Sequence, residues 1–321
     1  MGTDLNARPT SDSRAGIFYG LAAYGFWGIM PLYFDAVRDV PPGEILAQRI
    51  VWCGVLLAIV LAVTGRWREM IDRLRAPGVP RTFCCTAFFL TTNWLAYIYG
   101  VTHGRTVDTS LGYFINPLLS VLLGMIVLRE RLRFWQAVSV LLAAAGVLIP
   151  VAAAAEVPWI ALTVAVSFAL YGLLRKQAPV DALVGLSIET FILAPFAAAY
   201  LVILLLQGDM ALGRSGLGVD ALLLASGVIT AVPLLWFGKA ARTLSLSTLG
   251  ILQYVAPTMQ FVLAVFYLGE SVAPLKWAAF ALIWAALAIN TIDSWRVARS
   301  ERAVVIADGD GGAELEAVEP G

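Results

Sequence analysis

The stretch PLLSVLLGMIVLRE, residues 117–130, returns 140 positions later as PTMQFVLAVFYLGE, residues 257–270, with a proline, a leucine (Leu128, Leu268) and a glutamate (Glu130, Glu270) at matching places. The same shift lays ILAQR, ending at Arg49, along VGLSIE, ending at Glu189. A spanning helix needs roughly 20 mainly apolar residues. Such stretches recur at 15–36, 43–64, 80–100, 108–128, 133–151, 157–175, 182–205, 219–241, 247–268 and 273–292. Five fall in each copy, and an odd number of spans per copy turns the second upside down. The expected fold class is therefore an all-α integral membrane protein of ten transmembrane helices, arranged as two inverted five-helix repeats over 15–151 and 157–292.

Composition agrees. Of 321 residues 60% are hydrophobic and 14% charged, and the mean hydropathy is +0.81, whereas soluble domains carry about 25% charged residues. The polar segment 1–14 precedes an apolar run that holds Trp27, Tyr33 and Phe34 and has no small-residue cleavage site, which reads as a retained helix. Residues 293–321 end in a stretch rich in Asp, Glu, Gly and Ala, expected to be a disordered acidic tail. Cys53, Cys84 and Cys85 have neither disulfide nor zinc spacing and read as packing residues.

The joints orient the chain. Starting from a cytoplasmic N-terminus, seventeen of the 22 Lys and Arg fall on the inner side, four (Arg38, Arg105, Arg214, Lys276) on the outer, and Arg49 within a span. That asymmetry predicts a multi-pass protein of the cytoplasmic membrane with both termini cytoplasmic.

Several segments resemble a known family: LAAYGFWGIMPLYF (21–34), VPPGEILAQRIVW (40–52), the run from Asn93 to Gln136 that contains SLGYFINP, SFALYGLLRK (167–176) and STLGILQYVAPTMQFVLAVFYLGE (247–270). Together they resemble the RarD branch of the EamA group in the drug/metabolite transporter superfamily. The resemblance implies two EamA-type units and secondary transport of a small metabolite or drug.

An ionisable residue inside a membrane is a functional candidate by default, because burying it is costly. Arg49 lies roughly 9 Å inside the outer end of its span at 1.5 Å per residue, and Glu189 lies at similar depth from the inner end. A direct pair between them is not expected. Arg49 is read as a ligand for an anionic or carboxylate group, because its planar fork suits carboxylate. Glu189 is read as a site for a cationic group or a coupling proton. The competing readings are snorkelling for Arg49 and a structurally tied glutamate for Glu189. Asn93, Trp94, Tyr113 and Asn116 would supply hydrogen bonds and an aromatic wall, with Gln253 and Tyr254 as counterparts in the second copy; helix-to-helix bonding is the alternative. Gly28, Pro31, Pro117 and Pro257 are expected kinks or hinges, the last two near mid-helix. Glu130 and Glu270 are read as caps on the helices that follow them, or as gates. His103, the lone histidine, belongs to an outer joint.

No phosphate-binding loop, metalloprotease motif or nucleophile elbow is present, and the inner joints are short for a nucleotide-hydrolysing domain, so an enzyme or an ATP-driven pump is not expected. No cofactor or metal site is expected. The expected partners are a small-molecule substrate, a coupling proton and the bilayer, with no nucleic acid. The alternatives are a non-transporting receptor or assembly subunit, an intramembrane enzyme that would need a nucleophile–base pair at one depth, and a channel, for which no filter motif is seen.

Overall fold

A computed structural model describes residues 11–127, 133–153, 158–178, 180–243, 252–286, 288–289, 291–293 and 296. Among them the secondary structure is helical throughout: α1 (Ser11–Gly28), α2 (Met30–Ala36), α3 (Pro42–Val63), α4 (Trp67–Arg75), α5 (Val79–Thr102), α6 (Thr106–Val127), α7 (Phe134–Ala153), α8 (Trp159–Gln177), α9 (Ala182–Gln207), α10 (Leu217–Thr243) and α11 (Val255–Phe266), then a helix over Pro274–Asp293. Among the described residues five helices are long and apolar enough to cross a membrane: Ala15–Ala36, Pro42–Val63, Ala182–Gln207, Leu217–Phe237 and Pro274–Asp293.

By their packing the described residues form two units. The larger comprises α1–α6 and α8–α11. In it α6 packs along α8, α1 along α10, α3 along α10 and α9, α5 along α8 and α9, and α11 against α1 and α6. Glycine sets the closest approaches. A β-carbon at Gly112 would stand 2.7 Å from the Ala161 carbonyl oxygen, so α6 reaches the backbone of α8 only because none is there. Gly227 of α10 meets the backbone of Trp52 in the same way. The smaller unit holds α7 and the helix Pro274–Asp293. There a β-carbon at Gly146 would lie 2.9 Å from the Ala279 carbonyl oxygen, and Arg133 Nη2 pairs with Asp293 Oδ2 at 2.7 Å.

Three local features differ from the sequence reading. The segment expected as an inner joint after α3 forms α4, WREMIDRLR, too polar and short to span but amphipathic. It buries Met70 and stacks Trp67 on Phe191, with ring centroids 5.6 Å apart. Pro257 is not a mid-helix kink: it occupies the first turn of α11, where a missing N–H costs no hydrogen bond. Cys84 and Cys85 are exposed rather than packed in the core, while Cys53 is buried. Elsewhere, α1 ends at Gly28 and the chain restarts at Met30 with Pro31 in the first turn of α2. A β-carbon at Gly28 would collide with Met259. α6 continues through position 117, and α9 and α10 likewise run through Pro195 and Pro233. The expectation for Glu130, like those for the tails, falls outside the described residues.

At one end of the larger unit Asp181 caps α9 by accepting from the Leu183 and Val184 amides, at 2.9 and 3.2 Å, and pairs with Arg66. Arg66 also binds Glu69 at 2.7 Å. Burial pushes the Asp181 carboxyl up, but the bonds from Arg66 and the two amides outweigh it and hold the group below its usual 3.8. A carboxylate depressed in the folded state stabilises above its unfolded pKa, and that contribution disappears as pH falls through the folded value. Asp181→Asn keeps a good cap and removes the charge. It is expected to melt lower than wild type near neutral pH, by the equivalent of about 1 kcal/mol, with the difference closing below about pH 4. Scanning fluorimetry across pH checks this, and a gap that persists in acid would refute it.

Candidate functional site

Arg49 comes eighth in α3 (PGEILAQRIVW), after Glu44 and Gln48 on the same helix, and the bundle encloses it. Its Nε donates to Thr230 Oγ1 of α10 at 3.0 Å. Thr230 in turn donates to the Ser226 carbonyl at 2.8 Å, so this contact is fixed from behind. The guanidinium carbon lies 5.3 Å from the ring centre of Phe34 and 4.8 Å from that of Trp94, a double cation–π arrangement. The electrostatic surroundings are phenols, namely Tyr33, Tyr97 and Tyr113, with the Cys53 thiol. Among the described residues no carboxylate pairs with Arg49, and its two terminal amino groups have no hydrogen-bond acceptor.

α5 supplies the adjoining wall. Asn93 Nδ2 donates to the Val164 carbonyl of α8 at 2.9 Å, and its Oδ1 accepts from Tyr113 Oη of α6 at 3.1 Å. The asparagine thereby fastens three helices and holds Tyr113 in place. Tyr97, one turn further along α5, lies with its ring centre 5.6 Å from both Phe34 and Tyr113, and its buried hydroxyl has no partner. Asn116 is buried with Oδ1 unpaired. The structure thus joins Arg49, Asn93, Trp94 and Tyr113 in one cluster. Tyr254 stacks on Phe114, the residue after Tyr113, with centroids 6.4 Å apart, and Gln253 occupies the turn before α11. Tyr33, Phe34, Tyr97 and Thr230 are not among the site residues expected from the sequence. Tyr33 and Phe34 stood inside the quoted LAAYGFWGIMPLYF, and Tyr97 follows Asn93 at helical spacing.

Glu189 is elsewhere. Its carboxylate, fully buried in α9, has Arg175 Nε of α8 at 3.7 Å and Tyr171 Oη at 3.4 Å. Arg175 lies across Gly185, where a β-carbon would overlap the guanidinium, rests 5.2 Å from the Phe83 ring centre and donates to the Asp181 carbonyl at 3.4 Å. The charge count had placed Arg175 in an inner joint; in the fold it turns back to the carboxylate. A second buried acid, Glu44, accepts from the Ala211 and Leu212 amides at 2.9–3.1 Å.

Glu270 is a cap, but not of the helix that follows it. Its two oxygens accept from the Thr106 and Val107 amides at 2.7 and 2.8 Å, closing the N-terminus of α6. It also lines a cavity of about 400 Å³ with Asp35, Arg38, Val101, Thr102, Gly104, Tyr267 and Leu268, which begins one residue from Phe34. His103 stacks on Tyr99 at 4.0 Å. Among the described residues no group of three His, Cys, Asp or Glu could hold a metal ion.

The chain is similar to known proteins over most of its length. Residues 14–151 match the EamA-like transporter family. A protein named RarD from Streptomyces exfoliatus is 42% identical over 91% of this chain and 93% of its own length. An uncharacterized transporter of Vibrio cholerae is 43% identical, covering 91% and 96%. A chloramphenicol-sensitive protein RarD of Pseudomonas aeruginosa is 32% identical, covering 90% and 97%. One solved crystal structure, 21% identical, shares the fold with a TM-score of 0.60 over 88% of this chain and 99% of that one.

Proposed function

The chain belongs to the RarD branch of the EamA-like transporter family, a membrane transporter by that membership, and from this premise we propose that it is a secondary active transporter of a small, anion-bearing metabolite. It works by alternating access between two inverted halves, 15–151 and 157–292, in the cytoplasmic membrane, with both termini cytoplasmic. Helix packing supports the halves. Numbered as spans, the pairs α1–α10 and α5–α8 are one and eight, three and six; α6–α8 and α1–α11 are four and six, nine and one. Each pair maps onto its mate when the halves are exchanged, as an inverted repeat requires.

The observation that carries the substrate reading is Arg49, a buried cation without a counter-ion among the described residues. Leaving a charge unpaired in a low-dielectric interior costs several kcal/mol, and a fold keeps such a group where a ligand completes it. Glu189 has a partner already, so its role is the coupling proton: taking a proton would release Arg175, and losing it would restore the pair.

The test begins with thermal stability of the purified protein against amino acids, organic acids, polyamines, nucleotide sugars and, prompted by the name of the Pseudomonas relative, amphenicols. Ligand at a hundred times its dissociation constant adds about 2.7 kcal/mol. A hit should give counterflow in liposomes that Arg49→Ala abolishes. Counterflow undiminished in folded Arg49→Ala would overturn the assignment.

A further inference from the structure

We infer that the Arg49 cluster is a carboxylate pocket for a planar, apolar monocarboxylate and that it excludes zwitterions. This deepens the reading of Arg49 as the substrate residue and rests on it. The uncommitted hydrogen-bonding groups decide the ligand's chemistry. Around the guanidinium, Tyr33 Oη donates to the Leu222 carbonyl at 3.3 Å, Tyr113 Oη to Asn93, and Thr230 Oγ1 to the Ser226 carbonyl. What is left over are the two terminal amino groups of Arg49, which can only donate, and two hydroxyls able to donate, Tyr97 Oη and Ser226 Oγ, the latter beside Tyr33. A guanidinium that can only donate, flanked by hydroxyls free to donate, calls for a ligand group rich in acceptors. Two amino groups in a planar fork fit the two oxygens of a carboxylate, and Tyr97 adds a third bond to one of them. The unpaired acceptor of α6, Asn116 Oδ1, lies about a turn beyond Tyr113.

Charge sets the valence. The guanidinium carries one positive charge and has no carboxylate partner among the described residues, so a monoanion neutralises it, whereas a dianion would drive its second charge into Phe34, Trp94 and the tyrosine rings. An ammonium finds no partner either: Glu44 is taken by the Ala211 and Leu212 amides and Glu189 by Arg175. The walls are aromatic, with Phe34 and Trp94 against the guanidinium and Tyr97 and Tyr113 beside them, which selects a flat apolar body.

The probe is radiolabelled benzoate, with benzamide, phenylalanine and phthalate as competitors, measured by scintillation proximity on the full chain. Saturable binding is expected, displaced by unlabelled benzoate and not by the three competitors. Arg49→Gln should abolish it, and Tyr97→Phe should weaken it roughly tenfold or more, since a hydrogen bond to a charged group is lost. Both variants should melt no lower than wild type, which separates lost binding from lost fold. Absence of benzoate binding in folded protein, equal competition by benzamide or phenylalanine, or an unchanged Tyr97→Phe would each overturn the proposal. Arg49-dependent counterflow of another panel compound in the same sample would then leave the transport reading standing and refute only the carboxylate class.

Discussion

Arg49→Met is expected to melt at a higher temperature than the wild-type protein while losing its response to ligand. Arg49 receives little in exchange for its hydration. It makes one hydrogen bond, to Thr230, and two ring contacts, with Phe34 and Trp94. Those ring contacts contribute about 0.5–2 kcal/mol each and the hydrogen bond about 1 kcal/mol. Against them stands the desolvation of an uncompensated cation, several kcal/mol even after relaxation. Methionine fills a similar volume, suits the aromatic surroundings and carries no charge. The net change is a stabilisation of about 1–4 kcal/mol, the range seen when buried ionic groups give way to apolar ones. A residue that costs stability and is needed for binding is a functional residue, whereas a structural anchor would show the opposite sign. Scanning fluorimetry with and without a ligand decides between them. A clear drop in melting temperature for Arg49→Met would make Arg49 a tie between α3 and α10 and would remove the main support for a substrate site.

The positions of the helices were legible because apolar run length is a local property, and each expected stretch carries helix among the described residues. Arg49 was legible for the same reason: one guanidinium in ILAQRIVW stands out without any knowledge of its neighbours. The box around it was not. Phe34 comes from α2, Trp94 and Tyr97 from α5, Tyr113 from α6 and Thr230 from α10, and in a chain rich in aromatics nothing local distinguishes these rings from those at a membrane interface. Glu270 shows the limit of reasoning from adjacency. An acid between two helices invites a cap on the next one, yet its carboxylate reaches back 164 positions to Thr106. Arg175 was counted as loop charge by its place in sequence, and its carboxylate partner became visible only once α8 and α9 packed through Gly185. α4 was missed because its arginines dominate a hydropathy window, while its apolar face, Trp67 and Met70, finds α9.

That Arg175–Glu189 pair leads to the second large effect, an asymmetry between its two members. Arg175→Met leaves Glu189 fully buried with only the neutral hydroxyls of Tyr171, at 3.4 Å, and Thr86, and stranding a buried charge costs about 3–5 kcal/mol. Glu189→Gln strands much less. Arg175 keeps the Asp181 carbonyl and the Phe83 ring, is 16% exposed, and its long stem can carry the guanidinium toward water. The expected loss is about 1 kcal/mol. The double variant should recover most of the difference, because the charge that made the single change costly is gone. Denaturation or thermal melts of the three variants test this. In liposomes the same substitutions test the coupling role. Glu189→Gln should retain counterflow, which needs no net proton movement, and lose the acceleration by an imposed pH gradient. If Glu189→Gln kept that acceleration, or cost as much stability as Arg175→Met, the pair would be a fixed strut between α8 and α9 and the proton would have to travel by another residue.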